Sequence, residues 1–156
     1  MKFTKGKIAG VVCIPLPRFS DARGWLCELF RQDELPPGLE PCMAYISETS
    51  PGVVRGPHEH VEQTDCFCFL GPFQVELWDN RIQSATFATH ESIKSADGQW
   101  LQVIIPPGVV HAYKNVGTAP SLVINFPNRL YKGPRRRDAV DEIRHEDNPQ
   151  SPFRLA

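Results

Sequence analysis

Gly52-Val-Val-Arg55-Gly56-Pro-His58-Glu-His60 is the stretch on which the reading of this chain turns. On an extended strand successive side chains alternate, so His58 and His60 face one way, Glu59 the other, with Arg55 close by. About fifty residues later, Pro106-Pro-Gly108-Val-Val-His111-Ala-Tyr-Lys-Asn115 brings a third histidine straight after a strand-like run. Fifteen prolines and eleven glycines cut the rest into many short segments. That texture predicts an all-β domain.

Strands are expected at Gly10–Ile14, Gly24–Phe30, Met43–Thr49, Cys66–Leu70, Phe73–Asp79, Ser84–Thr89, Trp100–Ile105 and Ser121–Asn125. In Phe73–Asp79 the residues Phe73, Val75 and Leu77 alternate with Gln74 and Glu76, the pattern of a half-buried strand. Trp100–Ile105 is more continuously apolar, as a central strand would be. Helix signals are poor; Pro134 onward allows a turn or two. No repeat, low-complexity tract or interdomain linker interrupts the chain. It therefore reads as one domain over residues 1–156, with a core at about 10–130 and a C-terminal extension at 131–156.

The bulk numbers exclude several classes. A net charge of −1 makes no basic field, so nucleic acid is not an expected partner. No apolar run reaches the roughly 18–20 residues of a membrane span. Met1-Lys-Phe-Thr-Lys-Gly-Lys7 is charged but leads into no apolar signal region, so a cytoplasmic location is expected. The five cysteines stand at 13, 27, 42, 66 and 68. Cys66 and Cys68 share a strand face, but no second pair completes a metal site, and all five read as buried, reduced thiols. Arg135, Arg136 and Arg137 run straight into Asp138, Asp141 and Glu142, as on a solvated surface or a subunit contact.

The two histidine segments are similar to the paired motifs of the cupin barrel, a double-stranded β-helix jelly roll whose mouth His58, His60 and His111 would line. Four stretches together carry a narrower resemblance. They are Phe19-Ser-Asp21-Ala-Arg23-Gly-Trp-Leu-Cys-Glu28-Leu-Phe30, Gly52–His58, Asp79-Asn-Arg81-Ile-Gln-Ser84-Ala-Thr86-Phe87 and Ile105-Pro-Pro-Gly108-Val-Val-His111. In order and spacing they resemble the dTDP-4-dehydrorhamnose 3,5-epimerase family over about residues 10–130.

The resemblance implies a metal-independent, cofactor-free homodimer. Its substrate would be a nucleoside-diphosphate 4-keto-6-deoxy sugar, in deoxysugar or cell-surface polysaccharide biosynthesis. His58 would take a proton from a carbon beside the ketone, then return one, as its ordinary pKa allows. Arg55 would supply fixed positive charge, and Arg23 and Glu28 would contact the nucleotide from the partner subunit. Asp79 and Arg81 are read as pinning a turn, with an orienting carboxylate at Asp79 as the alternative.

The chain also departs from the family. The family lysine, seven residues before the glycine matched by Gly71, falls at Thr64. The family tyrosine, about thirteen residues after the histidine matched by His111, falls at Ile124. The base-orienting carboxylate belongs to a poorly matched C-terminal segment, where Asp147 is the first candidate and Glu146 the next. His60 and His111 would then carry the oxyanion, and Tyr113, Tyr131 or water would return the proton.

Arg55-Gly-Pro-His58-Glu-His60 is also similar to the arginine-glycine-x-His-x-His segment of 3,4-ketoisomerase cupins. Two other classes stay open. One is a metal-dependent cupin on His58, His60 and His111, whose usual fourth-ligand position falls at Thr64 or Asp65. The other is a non-catalytic nucleotide-sugar binder. His90 is expected to be exposed and idle, and His145 to sit in a charged tail.

Overall fold

The computed structural model describes residues 2–95 and 98–155. Its strands are β1 (Thr4–Lys5), β2 (Val12–Leu16), β3 (Phe19–Asp21), β4 (Gly24–Leu26), β5 (Tyr45–Thr49), β6 (Val54–Glu59) and β7 (Asp65–Leu70). They continue as β8 (Phe73–Asp79), β9 (Thr89–Lys94), β10 (Trp100–Ile105), β11 (Val109–Asn115), β12 (Ser121–Asn125) and β13 (Ile143–Arg144). One sheet runs β1-β9-β8-β11-β6-β13 and the other β2-β10-β7-β12-β5, while β3 and β4 form a separate hairpin. All pairs are antiparallel except β1 with β9. This is the all-β jelly roll the sequence predicts.

Alternation sets what fills the space between the sheets. Phe67 and Phe69 of β7, Phe73, Val75 and Leu77 of β8, and Val103 and Ile105 of β10 turn inward and are buried. Tyr113 of β11 packs edge-on against Phe69, with ring centroids 5.2 Å apart. A fully buried aliphatic or phenyl side chain contributes about 1.5–3 kcal/mol, so this layer supplies much of the drive to fold. β10 lies between β2 and β7, the central place its apolar run predicts.

Some boundaries differ from expectation for local reasons. Ser84–Thr89 is a turn, and the strand starts at Thr89. The Ser84 and Thr86 hydroxyls donate to Asp79 Oδ2 at 2.6 Å each, an alternative to strand pairing. The strand expected from Gly24 ends at Leu26, and Pro134–Arg136 makes a single 3-10 turn. β13 was not expected. It runs along the edge of β6, pairing Ile143 with Glu59 and Arg144 with His58. Beyond it, Phe153 docks against Trp78, with centroids 5.9 Å apart. The thiols divide: Cys66 and Cys68 are buried, whereas Cys13 and Cys42 are exposed. Among the described residues no helix is long and apolar enough to cross a membrane.

Candidate active site

The interior changes character at one end of the sandwich. Asp65 lies on the same face of β7 as Phe67 and Phe69, one step further toward the opening. Asn125 of β12, His111 of β11, and His58 and His60 join it there. The ring centroids of His58 and His111 are 4.3 Å apart, those of His58 and His60 5.7 Å, and those of His60 and His111 5.9 Å. Glu59 turns to the other side, as alternation requires, and accepts from Asn80 and His145 at 2.9 Å each.

A bulge delivers Arg55 to the same opening. Between the pairs His111–His58 and Tyr113–Arg55, two steps on β11 oppose three on β6. The extra residue reverses the alternation, so Arg55 and His58 both line the cleft despite their odd spacing. Gly56 makes this possible: its φ is +80°, and a Cβ there would stand 2.6 Å from the His111 carbonyl oxygen. The Arg55 guanidinium is held by Thr49 Oγ1 at 3.1 Å and the Glu48 carbonyl at 2.8 Å.

The electrostatics pivot on Asp65. Its Oδ1 accepts from Asn125 Nδ2 at 2.7 Å and Gln63 Nε2 at 2.8 Å. Its Oδ2 lies 3.3 Å from His60 Nε2 and 3.5 Å from His111 Nε2. Burial alone would raise the Asp65 pKa, but the His60 contact and the neighbouring imidazoles pull it down to about 2. Burial works against charge on His60 too, yet the Asp65 carboxylate and the Asp141 carbonyl push it up to about 9. His58 and His111 are lowered by burial first, so both are neutral near pH 7. His111 Nδ1 faces the Val109 carbonyl at 3.2 Å and must donate, which leaves Nε2 as a bare lone pair.

The C-terminal segment closes one side of the cleft. Asp141 accepts from the backbone N–H groups of Val61, Glu62 and Gln63 at 2.7, 2.9 and 2.8 Å. With β13 anchored on β6, Glu142 Oε1 comes to 3.9 Å from His58 Nδ1. Glu142 is therefore the carboxylate that stands beside His58. Asp147, the residue expected there, is exposed and lines no part of the cleft, because the chain reaches β6 five residues earlier.

Other expectations divide in the same way. Arg23 is exposed and paired with Asp21 at 2.5 Å, and Glu28 lies 3.7 Å from Arg31; neither lines the cleft of its own chain. Thr64 contributes its backbone N–H to Asn128, and Ile124 turns away from the interior between inward-facing Val123 and Asn125. Tyr45, which sequence reasoning passed over, lines the cleft with its hydroxyl 3.0 Å from Asn125 Nδ2. Tyr113 and Tyr131 line it as well, and so does Arg136 of the basic cluster. His90 is not idle: it stacks on Trp78 and meets Glu76 Oε2 at 2.5 Å. Asp79 bonds Arg81, Ser84 and Thr86 in a turn away from the cleft.

The cleft measures about 1260 Å³. That exceeds the roughly 300–1,000 Å³ of most small-molecule sites and suits a ligand larger than a single sugar. A jelly roll with a histidine-lined mouth of this kind is a cupin. The family model for dTDP-4-dehydrorhamnose 3,5-epimerase matches residues 5–138, and the chain belongs to that family.

It is 39% identical over 114 residues to the probable low-salt glycan biosynthesis epimerase Agl13 of Haloferax volcanii, covering 72% of this chain and 73% of that one. To the spore coat polysaccharide biosynthesis protein SpsL of Bacillus subtilis it is 35% identical over 126 residues, covering 80% and 82%. The solved dTDP sugar isomerase of Desulfovibrio desulfuricans superposes with a TM-score of 0.78 at 25% identity, over 94% of this chain and 91% of that one.

Proposed function

We propose that the protein is an epimerase or isomerase of a nucleoside-diphosphate 4-keto-6-deoxy sugar, working through an enolate in the biosynthesis of a cell-surface glycan. The observation that carries this reading is His58 at the cleft wall beside His60, whose Nε2 lies 3.3 Å from the buried Asp65 carboxylate. His58 takes the proton from the carbon next to the ketone, and the electrons of that C–H bond move onto the carbonyl oxygen. The positive charge that Asp65 keeps on His60 stabilises the enolate. Glu142, behind His58 Nδ1, steadies the imidazolium that forms. Tyr45 returns a proton from the other wall. Burial holds its hydroxyl up at about 12, so it stays protonated until the enolate demands it. His111, whose Nε2 faces the buried Asp65 carboxylate behind the cleft wall, does not donate to the oxyanion.

Arg55 and Arg136 at the cleft wall suit the diphosphate. The working unit on this reading is a cytoplasmic homodimer in which Arg23 and Glu28 of one chain reach the other's cleft. Supporting it, Phe19, Trp25 and Leu26 leave the β3–β4 hairpin with apolar side chains more than half exposed.

The test is proton NMR with dTDP-4-keto-6-deoxyglucose in D₂O. Deuterium entering C3 or C5, or migration of the keto group, is expected from the native protein and not from His58→Asn. No exchange by the native protein on this or related keto sugars sinks the reading.

A further inference from the structure

We infer that Asn125 is a positioning residue that fixes Tyr45 as a hydrogen-bond donor into the cleft. The inference rests on the epimerase reading above and adds the group that aims its proton donor. Asn125 lies on β12, directly opposite Tyr45 of β5 on one side and Phe67 of β7 on the other. Its side chain is fully buried. A buried primary amide has to satisfy one acceptor and two donors, and here each has a partner.

The neighbours decide which end of the amide is which. Oδ1 accepts from the Cys66 backbone N–H at 3.0 Å, a group that can only donate. Nδ2 gives one proton to Asp65 Oδ1 at 2.7 Å, and an ionised carboxylate can only accept. Turning the amide over would set oxygen against oxygen and N–H against N–H. The second Nδ2 proton goes to the Tyr45 hydroxyl oxygen at 3.0 Å. Tyr45 is thus the acceptor in that bond, and its own proton is free for an acceptor in the cleft that it lines.

The chemistry follows from this polarity. The enolate carbon takes the Tyr45 proton while the oxyanion pair re-forms the carbonyl. The O–H bonding pair stays on the phenol oxygen, and the Asn125 N–H steadies that phenolate. The same bond already offsets part of the burial that holds Tyr45 up at about 12. The proton on His58, by contrast, can return only to the face it left. Exchange with solvent therefore needs His58 alone, whereas inversion at carbon needs Tyr45. Asn125 also braces Asp65, but weakening the enolate slows both outcomes alike. The ratio of epimerisation to exchange isolates the Tyr45 contact.

The experiment follows both outcomes on dTDP-4-keto-6-deoxyglucose by proton NMR in D₂O. Tyr45→Phe should cut epimerisation by about 10²–10⁴, the worth of a general acid, and exchange far less. Asn125→Ala, checked for folding by circular dichroism, should lower the ratio about 10–100-fold, the worth of a hydrogen bond to a charged group. The double variant should keep the ratio of Tyr45→Phe, because both changes act through one contact. An unchanged ratio in Asn125→Ala, or multiplied losses in the double variant, overturns the proposal. A second measurement needs no turnover. In ¹⁵N NMR of the substrate-free protein, Tyr45→Phe should shift one Asn125 side-chain proton and leave the other, held by Asp65, in place. If neither moves, the contact is absent and the proposal falls, whatever the protein does with sugars. If one moves while the native protein exchanges nothing, the contact stands and the epimerase reading fails.

Discussion

Asp65 and Asp79 are both buried at strand ends, and their surroundings teach different lessons. Asp79 is fully paired: Oδ1 takes Arg81 Nε at 2.8 Å, and Oδ2 takes Arg81 Nη2, Ser84 and Thr86 at 2.9, 2.6 and 2.6 Å. All these partners lie within seven residues, so the turn assembles locally. Asp65 draws on Gln63 and His60 nearby but on Asn125 and His111 from other strands, and its Oδ2 has no hydrogen-bond partner, only the His60 and His111 rings at 3.3 and 3.5 Å. A closed network locks a turn. An open one keeps a buried charge against two imidazoles, one of them, His60, at the cleft wall.

Breaking the open side at its centre has the largest expected effect. His58→Asn should slow solvent exchange into substrate by about 10²–10⁴, the range of a general base, while the melting temperature moves little. Exchange kept within tenfold of native would remove His58 from the mechanism. On the closed side, Asp79→Ala strands the Arg81 guanidinium and should cost about 3–5 kcal/mol in urea unfolding, with exchange per folded molecule unchanged. A loss under 1 kcal/mol would show that the turn does not need the carboxylate.

Asp65→Asn sharpens the contrast. Exchange should fall about 10²-fold, comparable to loss of an oxyanion donor, while the stability loss stays below that of Asp79→Ala, because the new amide can donate to His111 Nε2. A stability loss as large as that of Asp79→Ala would erase the distinction between the two regions.

The smallest effects are in pH. Asp79 lies well below the ordinary carboxylate range: Arg81, Ser84 and Thr86 overcome the burial that would raise it. Its contribution is therefore present above about pH 4 and lost as the pH falls. Asp65, lowered to about 2, adds to the same acid limb. His60, raised to about 9, has the opposite sign. Its contribution is full below about pH 6.5 and is lost as the pH rises through 9. Imidazole NMR titration should give His60 near 9 in the native protein and lower in Asp65→Asn. An unshifted His60 in that variant would mean that Asp65 does not hold the charge.

The fold and half of the site were legible because they depend on alternation. Inward residues at every second position place Phe73, Val75 and Leu77 in the core, and the same rule pairs His58 with His60. It also carries Asp65 into line with Phe67 and Phe69, a signal available in Gln63-Thr-Asp65 had the strand been extended by one residue. Glu142 was hidden. Its place beside His58 follows from three backbone N–H groups at residues 61–63 that capture Asp141, and no local pattern reports such a contact. Asp147 is the first candidate in a segment poorly matched to the family, but the extension meets β6 sooner.

What the sequence determined by itself was therefore whatever depends on near neighbours along the chain. This covers the all-β class, the histidine strand, the polar turn after Asp79 and the family. Short-range sterics and the two-residue strand period act wherever those residues occur. Only the tertiary structure decided which groups meet at the mouth. The meeting of Asp65 with His111 and Asn125, the reversed alternation that brings Arg55 inward and the arrival of Glu142 all require segments distant in sequence to be held a few ångströms apart. Their charges and pKa values arise from that proximity and burial, which no single stretch of chain contains.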